Sequence, residues 1–209
     1  MKTIEECFEK YSFDQIAIAF NGGKDNVVMA HLVHAHIQKK FPGSKSRLQA
    51  VYVKEKDPFR EVEEFIDETS QKYSLELTSL EGGIKGAMTE YLKSRPNVKA
   101  VILGTRSTDP GNGNVGNFAP SDGDWPTMMR VNPIITWKYS DIWTFIRTLS
   151  IPYPILYDKG YTSLGSRNNT LPNPHLAFKD EKGHTLYKAA HELEDGSLER
   201  AGRVKKSNL

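Results

Sequence analysis

One cysteine, Cys7, stands in 209 residues, which rules out an internal disulfide, a Cys-x-x-Cys metal site and a dithiol redox centre. A reducing compartment is the simplest setting. Charge of one sign is equally scarce: 28 basic residues against 26 acidic leave a formal net charge of +2. That balance argues against a general nucleic-acid coat and leaves room for a local basic pocket. No apolar run approaches membrane-spanning length, and the charged stretch from Met1 to Lys10 lacks the apolar block of a signal peptide. The expectation is a soluble cytoplasmic protein with neither nucleic-acid nor membrane partners. No internal repeat is present, and the length suits a single domain over 1–209 with a substantial core. Two common phosphate loops are also missing, Gly-x-x-x-x-Gly-Lys-Ser/Thr and Gly-x-Gly-x-x-Gly.

What is present is a different glycine turn. Ile16 to Phe20 reads as a buried strand, Asn21-Gly22-Gly23-Lys24-Asp25 as a turn, and Val27 to Leu32 as the start of a helix. Adjacent glycines permit backbone angles closed to other residues, and amides at a helix N-terminus lack intrahelical partners where the dipole is positive. Such a turn cradles a phosphate. The spacing resembles the pyrophosphatase loop of ATP α-hydrolases, usually Ser-Gly-Gly-x-Asp-Ser, with Asn21 and Asn26 in place of the two serines. An ordinary strand-to-helix turn capped by Asp25 accounts for the same residues.

The alternation continues. An amphipathic helix over Ile4, Phe8 and Tyr11 precedes the first strand, and a helix over 26–40 follows the glycine turn. Strands are expected at 48–53, 75–80 and 100–103, and helices at 58–73 and 86–94. Strands separated by helices imply right-handed crossovers and a parallel sheet covered on both faces. Ligands of such sheets bind at the carboxyl ends of the strands, so the loops after Phe20 and Leu103 should meet over one crevice. The stretch 105–129 is too long for a connector and reads as a functional loop. An extended return over 130–137 and a helix to Leu149, capped by Ser140 with Asp141, come next. Regularity fades beyond Ile151, and 186–209 reads as a polar, charged tail.

Three clusters carry candidate chemistry. Gly104-Thr105-Arg106-Ser107-Thr108-Asp109-Pro110 places a cation, hydroxyls and a carboxylate directly beyond a buried strand. Arg106 suits phosphates, while Asp109 and Asp25 suit a magnesium-like cation; a turn formed by Asp109 before Pro110 is the plainer account. Asp122-Gly123-Asp124-Trp125-Pro126 with Arg130 offers an aromatic plane, a guanidinium and a carboxylate for a planar heterocycle, or a Trp-Pro corner packed into the core. Arg200 and Arg203 share one side of a helical turn and could fold back onto phosphates or remain in a solvated charge run. His31, His34 and His36 read as ordinary helix residues, because no further ligand cluster accompanies them.

The loop at Asn21 to Asp25, Gly-Thr-Arg-x-Thr-Asp-Pro from Gly104, Asp-x-x-Trp-Pro from Asp122, Gly-Tyr-Thr-Ser-Leu-Gly from Gly160 and Asn-Pro-x-Leu from Asn173 follow one another in family order. From about Ile16 to Arg203 the chain resembles eukaryotic FAD synthase. The resemblance implies an α/β fold of the adenine-nucleotide α-hydrolase type, related to sulfonucleotide reductases. That fold is a Rossmann-like, mostly parallel sheet with helices on both faces over 1–150, completed by an irregular C-terminal segment over 151–209. It also implies transfer of AMP from ATP to the phosphate of FMN, giving FAD and pyrophosphate with Mg2+, by a monomer.

By matching positions, Phe20, Asn21, Gly22, Gly23 and Asp25 should surround the ATP phosphates, with Gly104, Arg106 and Asp109 in the same nucleotide site. Asp25 and Asp109 should hold the metal. Asp122, Trp125 and Arg130 map to the flavin side, Tyr161 belongs to the same binding site, and Arg200 and Arg203 should close over flavin and phosphates. Catalysis would then rest on Asn21, Asp25, Asp109, Arg200 and Arg203. Asn26 departs from relatives that carry a cysteine or hydroxyl residue there. A sulfonucleotide reductase needs a catalytic cysteine, and Cys7 precedes the first strand. A tRNA-modifying adenylating enzyme would call for a larger basic surface. A noncatalytic module that keeps the pocket stays compatible with the sequence.

Overall fold

Short runs of β-branched and small apolar residues become the strands of one sheet in the computed structural model, which describes residues 1–204. The elements are α1 (Lys2–Lys10), β1 (Ile16–Ala19), α2 (Lys24–Lys40), β2 (Leu48–Lys54), α3 (Arg60–Lys72), β3 (Leu75–Glu81), α4 (Ile84–Ser94) and β4 (Ala100–Ile102). They continue with β5 (Phe118–Pro120), β6 (Met129–Val131), α5 (Tyr139–Thr148), β7 (Ala177–Lys179) and β8 (Thr185–Tyr187). The sheet runs β3-β2-β1-β4-β6-β5, parallel except for β5, and β7 with β8 forms a separate antiparallel pair.

The strand order explains where the helices go. The chain steps outward from β1 to β2 to β3 and then returns to lay β4 on the other side of β1. Right-handed crossovers in one direction put α2 and α3 on one face, and the reversal puts α4 on the other. The packing follows: Ile16 and Ile18 join a core with α1, α2, α3 and α5, while Ala17 and Val101 meet Met88 and Tyr91 of α4. Strand β1 is covered on both sides, which is why it reads as an unbroken apolar run. The reversal opens a crevice between the carboxyl ends of β1 and β4, the place where such sheets bind ligands.

The stretch expected to be a loop over 105–129 carries a strand of its own. Phe118–Pro120 pairs antiparallel with β6 at the sheet edge, where a proline costs no ladder bond inside the sheet. The expected extended return is only the three residues of β6, and a turn then leads to α5. Helix α5 starts at Tyr139, with the Asp141 carboxylate accepting from the Lys138 backbone N–H at 2.8 Å, so Asp141 rather than Ser140 closes its first turn.

The segment after Ile151 is irregular as expected, built of short 3-10 turns and the β7–β8 hairpin, yet it is not loosely attached. Tyr153 and Tyr157 stack edge-on against Trp143 of α5, with ring centroids 5.2 and 5.3 Å away. The segment from Leu186 onward, read as a polar, charged tail, buries Ala190, Leu193 and Glu199. The part of that expectation on 205–209 lies outside the described residues.

Candidate active site

The glycine turn after β1 is held from within. Gly22 sits at φ 73°, open to glycine at no steric cost, and a Cβ there would lie 2.8 Å from Ile66 Cγ1 of α3. Asn21 Oδ1 accepts from the Gly23 backbone N–H at 3.0 Å and from Asn26 Nδ2 at 2.9 Å. The two asparagines that replace the usual serines therefore brace each other across the loop. The Lys24 N–H donates to Tyr157 Oη at 2.9 Å, so the first turn of α2 is anchored by the C-terminal segment. The β4 loop arrives in direct contact: a Cβ on Gly104 would lie 2.9 Å from the Asn26 backbone nitrogen.

Beneath this junction lies a buried ionic cluster. Lys24 Nζ contacts Glu199 Oε1 at 2.6 Å and Asp25 Oδ2 at 3.0 Å. Arg106, 1% exposed, reaches Glu199 Oε2 at 2.6 Å, Asp25 Oδ1 at 2.8 Å and Asp109 Oδ1 at 3.6 Å. The Asp25–Arg106 contact is ionic in distance without hydrogen-bond alignment, with Asp25 Oδ1 buried against the guanidinium. Burial opposes the charge on Lys24 and on Arg106, but Asp25 and Glu199 outweigh it and raise both. Burial pushes Glu199 up, and Lys24 and Arg106 more than reverse it, holding its carboxyl below the usual range. Asp109 is raised, chiefly by burial, with Asp25 and Glu199 adding to it against Arg106.

Three carboxylates therefore face two cations, and the surplus is negative. That surplus, with the Asp25 and Asp109 carboxylates both bordering the cavity, offers hard oxygens of the kind a magnesium-type cation takes. Among the described residues no group of three or more His, Cys, Asp or Glu side chains makes a ready-built metal cluster. An ion that arrives with substrate phosphates needs only one or two carboxylates.

Above the cluster opens a cavity of about 740 Å3, toward the upper end of the roughly 300–1,000 Å3 typical of small-molecule sites. It is bordered by Phe20, Asn21, Gly23 and Asp25, by Gly104 and Asp109, by Asp122, Trp125 and Arg130, and by Arg200. Four of the residues expected there do not border it. Gly22 faces α3, where its missing side chain lets the loop pack on Ile66. Arg106 is spent on carboxylates below the floor rather than offered to a phosphate. Tyr161 stacks edge-on against Phe59, which does line the cavity, at 5.5 Å. Arg203 turns its guanidinium onto Gly165 and donates to the Leu164 carbonyl at 2.8 Å. Cys7 is buried in α1 away from the lining, its thiol pushed up to about 12 mainly by burial.

The motifs that begin at Gly160 and Asn173 turn out to receive the tail. Thr162 Oγ1 donates to the Glu199 carbonyl at 2.6 Å, and Asn173 Nδ2 donates to the Leu198 carbonyl at 2.9 Å. A Cβ on Gly165 would collide with the Arg203 guanidinium, and one on Gly202 with the Leu171 carbonyl. Sequence reasoning missed Lys24 and Glu199 altogether. Their one local signal is adjacency, Lys24 to the glycine turn and Glu199 to Arg200.

The phosphoadenosine phosphosulfate reductase domain family matches this chain over residues 15–94 and 84–172. A probable FAD synthase of Caenorhabditis briggsae is 38% identical over 213 residues, covering 100% of this chain and 39% of its own length. One from Schizosaccharomyces pombe is 37% identical over 207 residues, 97% of this chain and 77% of its own. The crystal structure of Candida glabrata FMN adenylyltransferase with FMN and the ATP analogue AMPCPP aligns at a TM-score of 0.89 and 29% identity, over 96% of this chain and 85% of that one. The chain thus spans well under half the length of some curated relatives and most of the length of others. With the glycine turn, the β4 loop and the tail in one place, and relatives matched across almost every residue, the chain belongs to the eukaryotic FAD synthase family.

Proposed function

We propose that this chain is an FMN adenylyltransferase, transferring AMP from ATP to the phosphate of FMN to give FAD and pyrophosphate. The observation that carries the reading is convergence: groups suited to a triphosphate and groups suited to a planar ring border one cavity at the β1–β4 crevice. Solved relatives hold FMN with an ATP analogue, and FAD with pyrophosphate. Near-complete alignment with them supports the same substrates here.

An FMN phosphate oxygen attacks the α-phosphorus of ATP. A new P–O bond forms as the bond to the bridging oxygen breaks, and pyrophosphate leaves with the electron pair. The attacking phosphate is already anionic near neutral pH, so the protein's work is positioning and charge rather than proton removal. Asn21 keeps the loop in shape, its remaining amides meet phosphate oxygens, and Arg200 offsets charge on the departing pyrophosphate. Asp25 and Asp109 would hold magnesium, which when bound neutralises charge between the phosphates. Trp125 and Arg130 offer planes to the flavin, and Asp122 an acceptor for a ring N–H. Arg203 acts one step back, fixing the turn that carries Arg200. In this reading 1–150 is the nucleotide-binding core and 151–209 completes the site, in a cytoplasmic monomer acting on small molecules.

The test supplies the purified chain with ATP, FMN and magnesium and follows products by chromatography. FAD and pyrophosphate should appear in equal amounts and stop when magnesium is chelated. Binding of both substrates without FAD would overturn the reading in favour of a noncatalytic module.

A further inference from the structure

We propose that Glu199 is a positioning residue whose carboxylate, gripped by Lys24 beside the phosphate loop and by Arg106 from the β4 loop, sets the register that carries Arg200 to the cavity. The inference rests on the adenylyl-transfer reading only for its kinetic test.

Arg200 is exposed and borders the cavity, and among the described residues it has no ion pair or hydrogen bond from its guanidinium. Nothing on its own side chain aims it. The aim comes from the backbone, which is pinned on both sides of it: the Leu198 and Glu199 carbonyls accept from Asn173 and Thr162, and the Val204 N–H donates to the Asn169 carbonyl at 3.0 Å. Backbone bonds alone can slip by a residue, because every residue offers the same carbonyl. The Glu199 side chain cannot slip. Its two oxygens answer two buried cations on separate elements, Lys24 Nζ at 2.6 Å and Arg106 at 2.6 and 2.7 Å. In the tail, Glu194 and Glu192 are the next carboxylates upstream along with Asp195, and a slip onto any of them would draw Arg200 away from the cavity.

A buried ion pair adds little stability over a well-packed apolar pair, and its best-attested use is to fix register. Here the register matters because a guanidinium misplaced by about 1 Å loses on the order of 10²-fold in rate.

The test is a double-mutant cycle of Glu199→Gln with Arg200→Ala, read as kcat and KM for each substrate, together with amide hydrogen exchange. Glu199→Gln should lower kcat/KM by about 30-fold when Arg200 is present and by less than about 3-fold in the Arg200→Ala background. Equal losses in both backgrounds would overturn the inference, because a merely structural role does not depend on Arg200. Exchange at the Ala201, Arg203 and Val204 amides should quicken by about tenfold in Glu199→Gln while β1 and β4 stay protected. Unchanged exchange in that segment also overturns it. If Glu199→Gln does not fold, Thr162→Val, which leaves the Glu199 carboxylate in place and removes the hydroxyl that donates to the Glu199 carbonyl and accepts from Asn173 Nδ2, enters the same cycle with the same expectation at a smaller size. A wild-type chain that makes no FAD would sink the functional reading, while the exchange experiment still decides the role of Glu199.

Discussion

Gly104→Ala probes the contact on which the site depends. The added Cβ would lie 2.9 Å from the Asn26 nitrogen, 3.0 Å from the Asp25 carbonyl carbon and 3.0 Å from Asn26 Cγ. Comfortable contacts to carbon are roughly 3.5–4.0 Å, so about 0.5–1 Å must be found by moving atoms. Two of the three neighbours are main chain in the first turn of α2, so no side-chain rotation relieves the clash. Overpacking of this kind costs about 1–3 kcal/mol, and the lower chain entropy of alanine returns roughly 0.4–1 of it. The expected net loss of about 1–2 kcal/mol corresponds to a Tm lower by about 2–8 °C in a chain of this size. The kinetic effect should exceed the stability effect, because the two loops bordering the cavity are pushed apart by a sizeable part of an ångström. A fall in kcat/KM for ATP of about tenfold or more is expected. Circular dichroism melts and FAD formation measure the two effects. Gly86→Ala in α4 is the control, since a Cβ there meets nothing within 4 Å, and it should raise stability by up to about 1 kcal/mol. A Gly104→Ala protein that melts and turns over as wild type would refute close packing of the two loops.

Other perturbations address the charges. Lys24→Met leaves Glu199 with Arg106 alone and should cost about 3 kcal/mol, while adding Glu199→Gln restores balance and recovers at least about 1 kcal/mol. Denaturant unfolding checks this, and simple additivity would count against the cluster. Asp25→Ala should reduce FAD formation by at least about 10²-fold, through lost metal and phosphate register; near-normal output removes Asp25 from that role. The depressed Glu199 carboxyl contributes stability above the ordinary glutamate pKa, and that contribution is lost as pH falls through its lower folded value. Below pH about 4.3 the melting temperature of the wild type should fall more steeply than that of Glu199→Gln. Parallel curves would contradict the pairing.

Much of the framework is legible because it is written locally. The apolar run Ile16–Ala19 ends near two glycines, and later runs alternate with helical spacing, so sheet, crossovers and glycine turn follow from neighbours within a few residues. The resemblance across Ile16 to Arg203 added the order of the motifs, which no single loop supplies. The cationic residues were harder to place. Arg106, Arg200 and Arg203 look equivalent along the chain, yet Arg200 alone among them borders the cavity. Arg106 is consumed by Asp25 and Glu199, and Arg203 by the Leu164 carbonyl.

The sequence by itself determined the strand-turn-helix with its paired glycines and the alternation that must wind into a parallel sheet, because dihedral freedom and hydrophobic period are properties of adjacent residues. Tertiary structure alone decided that Lys24, a charged residue beside those glycines, is a buried tether, and that Thr162 and Asn173 hold the tail. Lys24 and Arg106 meet Glu199 across 175 and 93 residues of chain. Whether a charge is solvated, paired or aimed at a ligand depends on which carboxylate folding brings within 3 Å of it, and that distance is fixed by the strand order and the packing of the C-terminal segment on α5.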